Sequence, residues 1–78
     1  MFFVKEFGSF SQCPDIKNLI VKAEAFQGSR LTIADKRPGG IIYHLARDEM
    51  GVFRDAYGNK NVVHLAALLA TPGKPILL

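Results

Sequence analysis

Apolar and polar residues mix unevenly over the first ten positions, where Phe2, Phe3, Val4, Phe7 and Phe10 stand among Lys5, Glu6, Gly8 and Ser9. That density of β-formers predicts a first strand over Met1 to Phe10, ended by Gly8 and Ser9. Phe2 and Phe3 would point to opposite faces, as in a strand covered on both sides or lying at a subunit contact. The period then changes. Ile16, Leu19, Ile20, Ala23 and Phe26 recur at helical spacing, while Lys17, Asn18, Lys22 and Glu24 fall elsewhere on the wheel. Pro14 suits a first helical position, Asp15 complements the positive end of the dipole, and Gly28 offers a left-handed stop.

After Gly28 the alternation of Arg30, Leu31, Thr32, Ile33 and Ala34 predicts a half-buried strand, and Pro38-Gly39-Gly40 a tight turn. Ile41 to Arg47 reads as a third strand, joined by Asp48-Glu49-Met50-Gly51 to a fourth at Val52 to Tyr57. Tyr43 to Glu49 also contains good helix formers, but the flanking glycines favour the hairpin. Gly58 to Asn61 is the next break, with Asn59 or Asn61 as N-cap. Val62, Leu65, Ala66 and Leu69 then form a second helical stripe, ended by Pro72-Gly73. The apolar tail Lys74 to Leu78 is expected to pack back as an edge strand or to enter a homodimer contact. The fold class implied is α+β in a single domain over residues 1–78. Three to five antiparallel strands pack with two helices in the order β-α-β-β-β-α, with room for a C-terminal strand.

A four-residue turn would set position i of the third strand opposite 99 − i of the fourth. His44 would then face Asp55, Tyr43 would face Ala56, and Ile42 would face Tyr57. Ile41, Tyr43, Leu45, Val52 and Ala56 would join Leu31 and Ile33 against the helices. The other face would show Arg30, His44, Phe53, Asp55 and Tyr57 to solvent, a set rich in the residue types that anchor interfaces. Helices on both faces would instead make these ordinary core and rim.

Composition narrows the chemistry. Apolar residues make up 49% and charged residues 22%, which excludes a disordered chain. Ten Lys and Arg against seven Asp and Glu leave +3, but no basic run exceeds Lys36-Arg37, so no basic tail is present to grip nucleic acid. One cysteine, Cys13, cannot close an intramolecular disulfide and suits a reducing cytoplasm. No apolar run approaches the ~20 residues a spanning helix needs, so no membrane partner is expected. Cys13, His44 and Asp55 are the residue types of a nucleophile triad, yet a buried apolar cysteine and a cross-strand His–Asp pair account for them without chemistry. His44 and His64 lack metal-ligand spacing, and the glycines lack phosphate-loop spacing. The reading is therefore non-enzymatic, with no cofactor and no metal. An aromatic and basic sheet face would suit base stacking, although no RNP-type motif is present.

The run Ala25 to Ile33, preceded by a lysine-bearing helix and followed by a hairpin, resembles a pattern in small phage and prophage proteins, among them some type I anti-CRISPR proteins. Phe26, Gly28, Ser29, Leu31 and Ile33 carry the resemblance, which covers residues 14–54; residues 61–78 extend beyond it. It implies stoichiometric inhibition of an RNA-guided surveillance complex rather than catalysis. The net charge opposes simple DNA mimicry, leaving Asp48, Glu49 and Asp55 as local acidic contacts for arginines. The candidate partner-binding residues are thus Arg30, Lys36, Arg37, His44, Asp48, Glu49, Phe53, Asp55 and Tyr57. The partner is a protein or ribonucleoprotein complex; the alternative is a small nucleic-acid-binding or regulatory protein that uses Arg30, Lys36, Arg37, Phe53 and Tyr57.

Overall fold

A computed structural model describes residues 1–57 and 62–76. Seven elements follow in the order β1 (Phe2–Glu6), β2 (Ser9–Cys13), α1 (Ile16–Ala25), β3 (Arg30–Asp35), β4 (Ile42–Arg47), β5 (Phe53–Asp55) and α2 (Leu65–Leu69). The strands form one antiparallel sheet in the order β2-β1-β3-β4-β5. The α+β class is as the sequence predicts, with one strand more at the N-terminus. The single strand expected over Met1 to Phe10 is a hairpin. Phe7 (φ 48°) and Gly8 (φ 85°) both take positive φ, the conformation a two-residue hairpin loop requires, and the chain folds back with Glu6 opposite Ser9. β1 is a central strand, paired on both edges, but the helices cover only its Phe2 face; Phe3 is half-buried on the other.

Helix α1 begins at Ile16, two residues later than Pro14 implied. Asp15 is the N-cap, its carboxylate accepting the Asn18 amide at 2.8 Å, and Pro14 precedes the cap. Leu19 and Ala23 are buried on the expected stripe, with Ile16 and Ile20 packed at its margin. The C-terminal end corrects the role expected of Gly28. Phe26 leaves the helix in extended conformation, and Gly28 is not left-handed. Glycine is needed there for space: a Cβ at position 28 would stand 2.5 Å from the tip of the Phe26 ring.

The turn Arg37–Gly40 closes with Gly40 N–H donating to Arg37 O at 2.8 Å and Gly39 at φ 80°, the arrangement that places proline second and glycine third. The next turn sets the register. Asp48 N–H donates to Val52 O at 3.0 Å and Gly51 takes φ 81°, so three residues, Glu49 to Gly51, form the loop. Leu45 therefore faces Asp55, Ala46 faces Arg54 and Arg47 faces Phe53, one position from the expected pairing. A one-residue slip exchanges the faces of a strand. Phe53 accordingly turns inward, 8% exposed, and joins the core rather than the solvent face.

The core lies between the sheet and the two helices: Phe2, Val4, Leu31, Ile33, Tyr43, Leu45 and Phe53 meet Leu19, Ala23, Leu65, Leu68 and Leu69. The second helix is shorter than its sequence stripe. It starts at Leu65 with His64 in the N-cap position and no side-chain cap; the expected caps, Asn59 and Asn61, lie outside the described residues. Val62 instead bridges Arg54, and Val63 N–H donates to Phe53 O at 2.8 Å. The tail packs back through Ile76 but pairs with no strand among the described residues, and Leu77 and Leu78 lie outside them. Tyr43 Oη holds this segment by donating to Lys74 O at 2.5 Å.

Candidate functional site

Both helices pack on one side of the sheet, so the residues of opposite parity form its other face. These are Phe3 and Lys5 on β1, Phe10 and Gln12 on β2, Arg30, Thr32 and Ala34 on β3, Ile42, His44 and Ala46 on β4, and Arg54 on β5. Register turns them into rows across the sheet. Phe10, Lys5, Thr32 and His44 form one row, with Lys5 Nζ 5.8 Å from the Phe10 ring centroid and Thr32 Oγ1 hydrogen-bonded to His44 Nδ1 at 3.3 Å. Tyr57 extends this row just beyond β5. Its ring meets that of His44 edge-on at 5.5 Å, and it is 76% exposed. Phe10 is 57% exposed at the far end. Two aromatic rings thus bracket a row that carries an ammonium, a hydroxyl and an imidazole.

Charge is sorted between the two faces. Every carboxylate within the strands, Glu6, Asp35 and Asp55, has the parity of the helix-covered side; of the strand cations, Lys5, Arg30 and Arg54 have the parity of the open side and Arg47, over the Phe53 ring, that of the helix side. The Arg30 side chain is exposed and has no hydrogen bond or ion pair among the described residues. Arg54 pairs with Asp48 at 3.2 Å. The open face therefore presents positive charge with no carboxylate of its own strands beside it.

The nine residues singled out from sequence divide accordingly. Arg30, His44 and Tyr57 share the open face as expected. Phe53 does not, and the expected His44–Asp55 pair is not formed: Asp55 faces Leu45, and its carboxylate accepts the Tyr57 amide at 3.1 Å. Arg37 is engaged inside the molecule. Its Nε and Nη2 donate to the two oxygens of Asp35 at 2.9 and 2.7 Å, and Nη2 also donates to Leu69 O at 2.6 Å. The guanidinium lies 4.8 Å from the Phe2 ring centroid. Hydrogen bonds from Arg37 hold the fully covered Asp35 carboxyl below its ordinary value, against the upward push of burial. Asp48 is likewise committed to its turn. It accepts the Met50 and Val52 amides at 2.9 Å, and these bonds, the Val52 one foremost, lower its pKa. Lys36 and Glu49 are exposed in the turns at opposite ends of β4.

Phe3, Lys5, Phe10, Thr32 and Ile42 belong to the site and were missed. A turn at Phe7-Gly8 instead of a strand end sets Phe10 against Lys5 and brings both to the face of Thr32. Cys13 lies on the other side of the sheet, buried, and desolvation raises its pKa. The triad types are thus not brought together. Among the described residues no cluster of three or more His, Cys, Asp or Glu is placed to hold a metal ion, and no helix is long and apolar enough to cross a membrane. No protein-family model, curated protein or solved structure matches the chain, so the reading of this face rests on its geometry.

Proposed function

We propose that the chain is a non-enzymatic binding module whose open sheet face takes a single-stranded nucleic acid. The observation that carries this reading is the sorting of charge, Lys5 and Arg30 standing between exposed Phe10 and Tyr57 on a face without strand carboxylates. Stacking on aromatic rings is worth about 1–3 kcal/mol per base and tolerates any base, while cations between the rings meet phosphates. His44 and Thr32 add hydrogen-bonding groups at the centre of the row.

Fluorescence anisotropy of a labelled single-stranded oligonucleotide over a salt series tests the proposal. With Lys5 and Arg30 each on a phosphate, log K should fall with log salt at a slope of about −1.4, and Arg30→Ala should flatten it by about 0.7. Phe10→Ala should weaken binding roughly 5- to 150-fold at every salt concentration without changing the slope. No binding, or binding indifferent to salt, would overturn the proposal.

The resemblance to type I anti-CRISPR proteins supplies a second reading, in which the same face docks on an RNA-guided surveillance complex. Ile42 supports it: this side chain is 57% exposed next to His44, an apolar contact that a protein surface would cover. The acidic form of that docking has less support, because Asp48 and Asp55 already accept backbone amides. Co-purification with a type I effector complex, with loss of its target-DNA binding, is the expected result. Absence of association across a panel of such complexes would dispose of this reading.

A further inference from the structure

The two edges of the sheet differ. β5 has only three residues, and its outer side is covered: Val62 bridges Arg54, and Val63 N–H donates to Phe53 O. β2 has five residues, Ser-Phe-Ser-Gln-Cys, and among the described residues pairs on one side alone, with β1. Soluble proteins protect such edges with charged side chains, proline, bulges or a covering segment. The strand Ser9–Cys13 contains no Lys, Arg, Asp, Glu or Pro, and its register with β1 runs unbroken from Phe2–Cys13 to Glu6–Ser9, with no bulge.

The hairpin geometry says which backbone groups point outward. In a two-residue loop the flanking pair, Glu6 and Ser9, exchanges hydrogen bonds, and bonded and non-bonded pairs then alternate along the ladder. Ser9, Ser11 and Cys13 therefore direct their N–H and C=O toward β1. Phe10 and Gln12 direct theirs away from the sheet. These two residues flank Ser11 symmetrically, so a two-fold axis through Ser11, perpendicular to the sheet, sets Phe10 of one copy opposite Gln12 of the other. Both outward residues then find a complete bonded partner.

We propose that β2 is a self-association edge. Two copies pair antiparallel about Ser11 and join their five-stranded sheets into one, with both open faces on the same side and both helical layers on the other. The helix side supports a second copy over an unrelated strand peptide. α1 is the helix that packs on β1 and β2, and an apolar groove runs beside the edge between Gln12, Cys13 and Pro14 and the helix residues Val21 and Ala25. Val21 is 62% exposed there. The two-fold axis brings a second α1 alongside this groove, which a lone peptide strand would not do. The nucleic-acid proposal concerns the open face of each copy and stands or falls separately.

Sedimentation equilibrium over a concentration series, without nucleic acid, is the test. The native chain should move from monomer to dimer. Gln12→Pro deletes an outward N–H that β1 does not use, a position where an edge strand tolerates proline. It should leave the circular dichroism unchanged and remain monomeric at concentrations where the native chain is dimeric. Ser11→Cys gives a check that does not depend on the proline variant folding. The non-bonded pair at the axis sets its Cα atoms about 4.5 Å apart, within the roughly 4.4–6.8 Å a disulfide spans. Oxidation should link two copies through position 11, as read by peptide mass mapping. A native chain that stays monomeric throughout would overturn the proposal. So would a dimer that survives Gln12→Pro with the fold intact, or failure of the substituted Ser11 positions to link.

Discussion

The placement of Phe53 decides which face of the sheet is open, so its truncation is the sharpest test of the architecture. Phe53 is 8% exposed, packed in the core with Tyr43 and Leu45, and the Arg47 guanidinium lies 5.9 Å from its ring centroid. A Phe→Ala change in a core costs about 3–5 kcal/mol. Position 53 lies on the edge strand, where neighbours can collapse into part of the space, so the lower figure, about 3 kcal/mol, applies. For 78 residues the whole stability expected is about 4–12 kcal/mol. The substitution should therefore remove a large share of it and lower the melting temperature by roughly 12–24 °C, at about 4–8 °C per kcal/mol for a domain of this size. Tyr57→Ala is the control. Its ring is 76% exposed, and loss of a surface side chain should stay within about 0.5 kcal/mol. Phe53→Leu should fall between the two. The chain has no tryptophan, so thermal melts are followed by far-ultraviolet circular dichroism. Equal small losses for Phe53→Ala and Tyr57→Ala would refute the register, and a larger loss for Tyr57→Ala would show the faces to be exchanged.

Other expectations follow from the same structure. Asp35 is held below its ordinary pKa of 3.8 by its hydrogen bonds from Arg37; its stabilisation is therefore complete above the unfolded pKa of about 4 and fades as pH falls through the folded value. Asp35→Asn should melt lower than the native chain at neutral pH and converge with it on acidification; a gap that does not change with pH would contradict the assignment. Gly28→Ala must displace the buried Phe26 ring, since its Cβ would stand 2.5 Å from the ring tip; urea titration should show a loss of about 1–3 kcal/mol. Cys13 is 2% exposed, with its pKa raised by burial. A thiol reagent at mildly alkaline pH should leave it unlabelled until the chain unfolds, and rapid native labelling would show that Cys13 does not sit in the core between sheet and helices.

Several elements were legible because their causes are local. The α1 stripe and the turn at Pro38-Gly39 depend on residues within a few positions of one another, and each stands close to where the pattern put it; Asp15, expected inside the first turn, is instead the cap. The N-terminal hairpin was hidden because its loop begins with Phe7, a bulky residue at φ 48° that sequence reading does not assign to a left-handed position. Lys5 and Phe10 went unseen with it, since they meet only when that hairpin closes. Arg37 shows the opposite error. Its charge suggested a partner, but Asp35 and the Leu69 carbonyl, one near in sequence and one far, take its Nε and Nη2 donors.

The sequence by itself determined that this chain makes a small α+β domain, with a helix over the teens and twenties and strands divided by glycine turns. Periodicity and turn chemistry act over a few residues and need no knowledge of the rest. Only the tertiary structure decided which side chains reach solvent. A three-residue loop closed by Gly51 moves the β4–β5 register by one place, and one place in a strand is the difference between core and surface. The gathering of Lys5, Phe10, Arg30, His44 and Tyr57 on one face is the sum of such registers across five strands, and no local pattern encodes that sum.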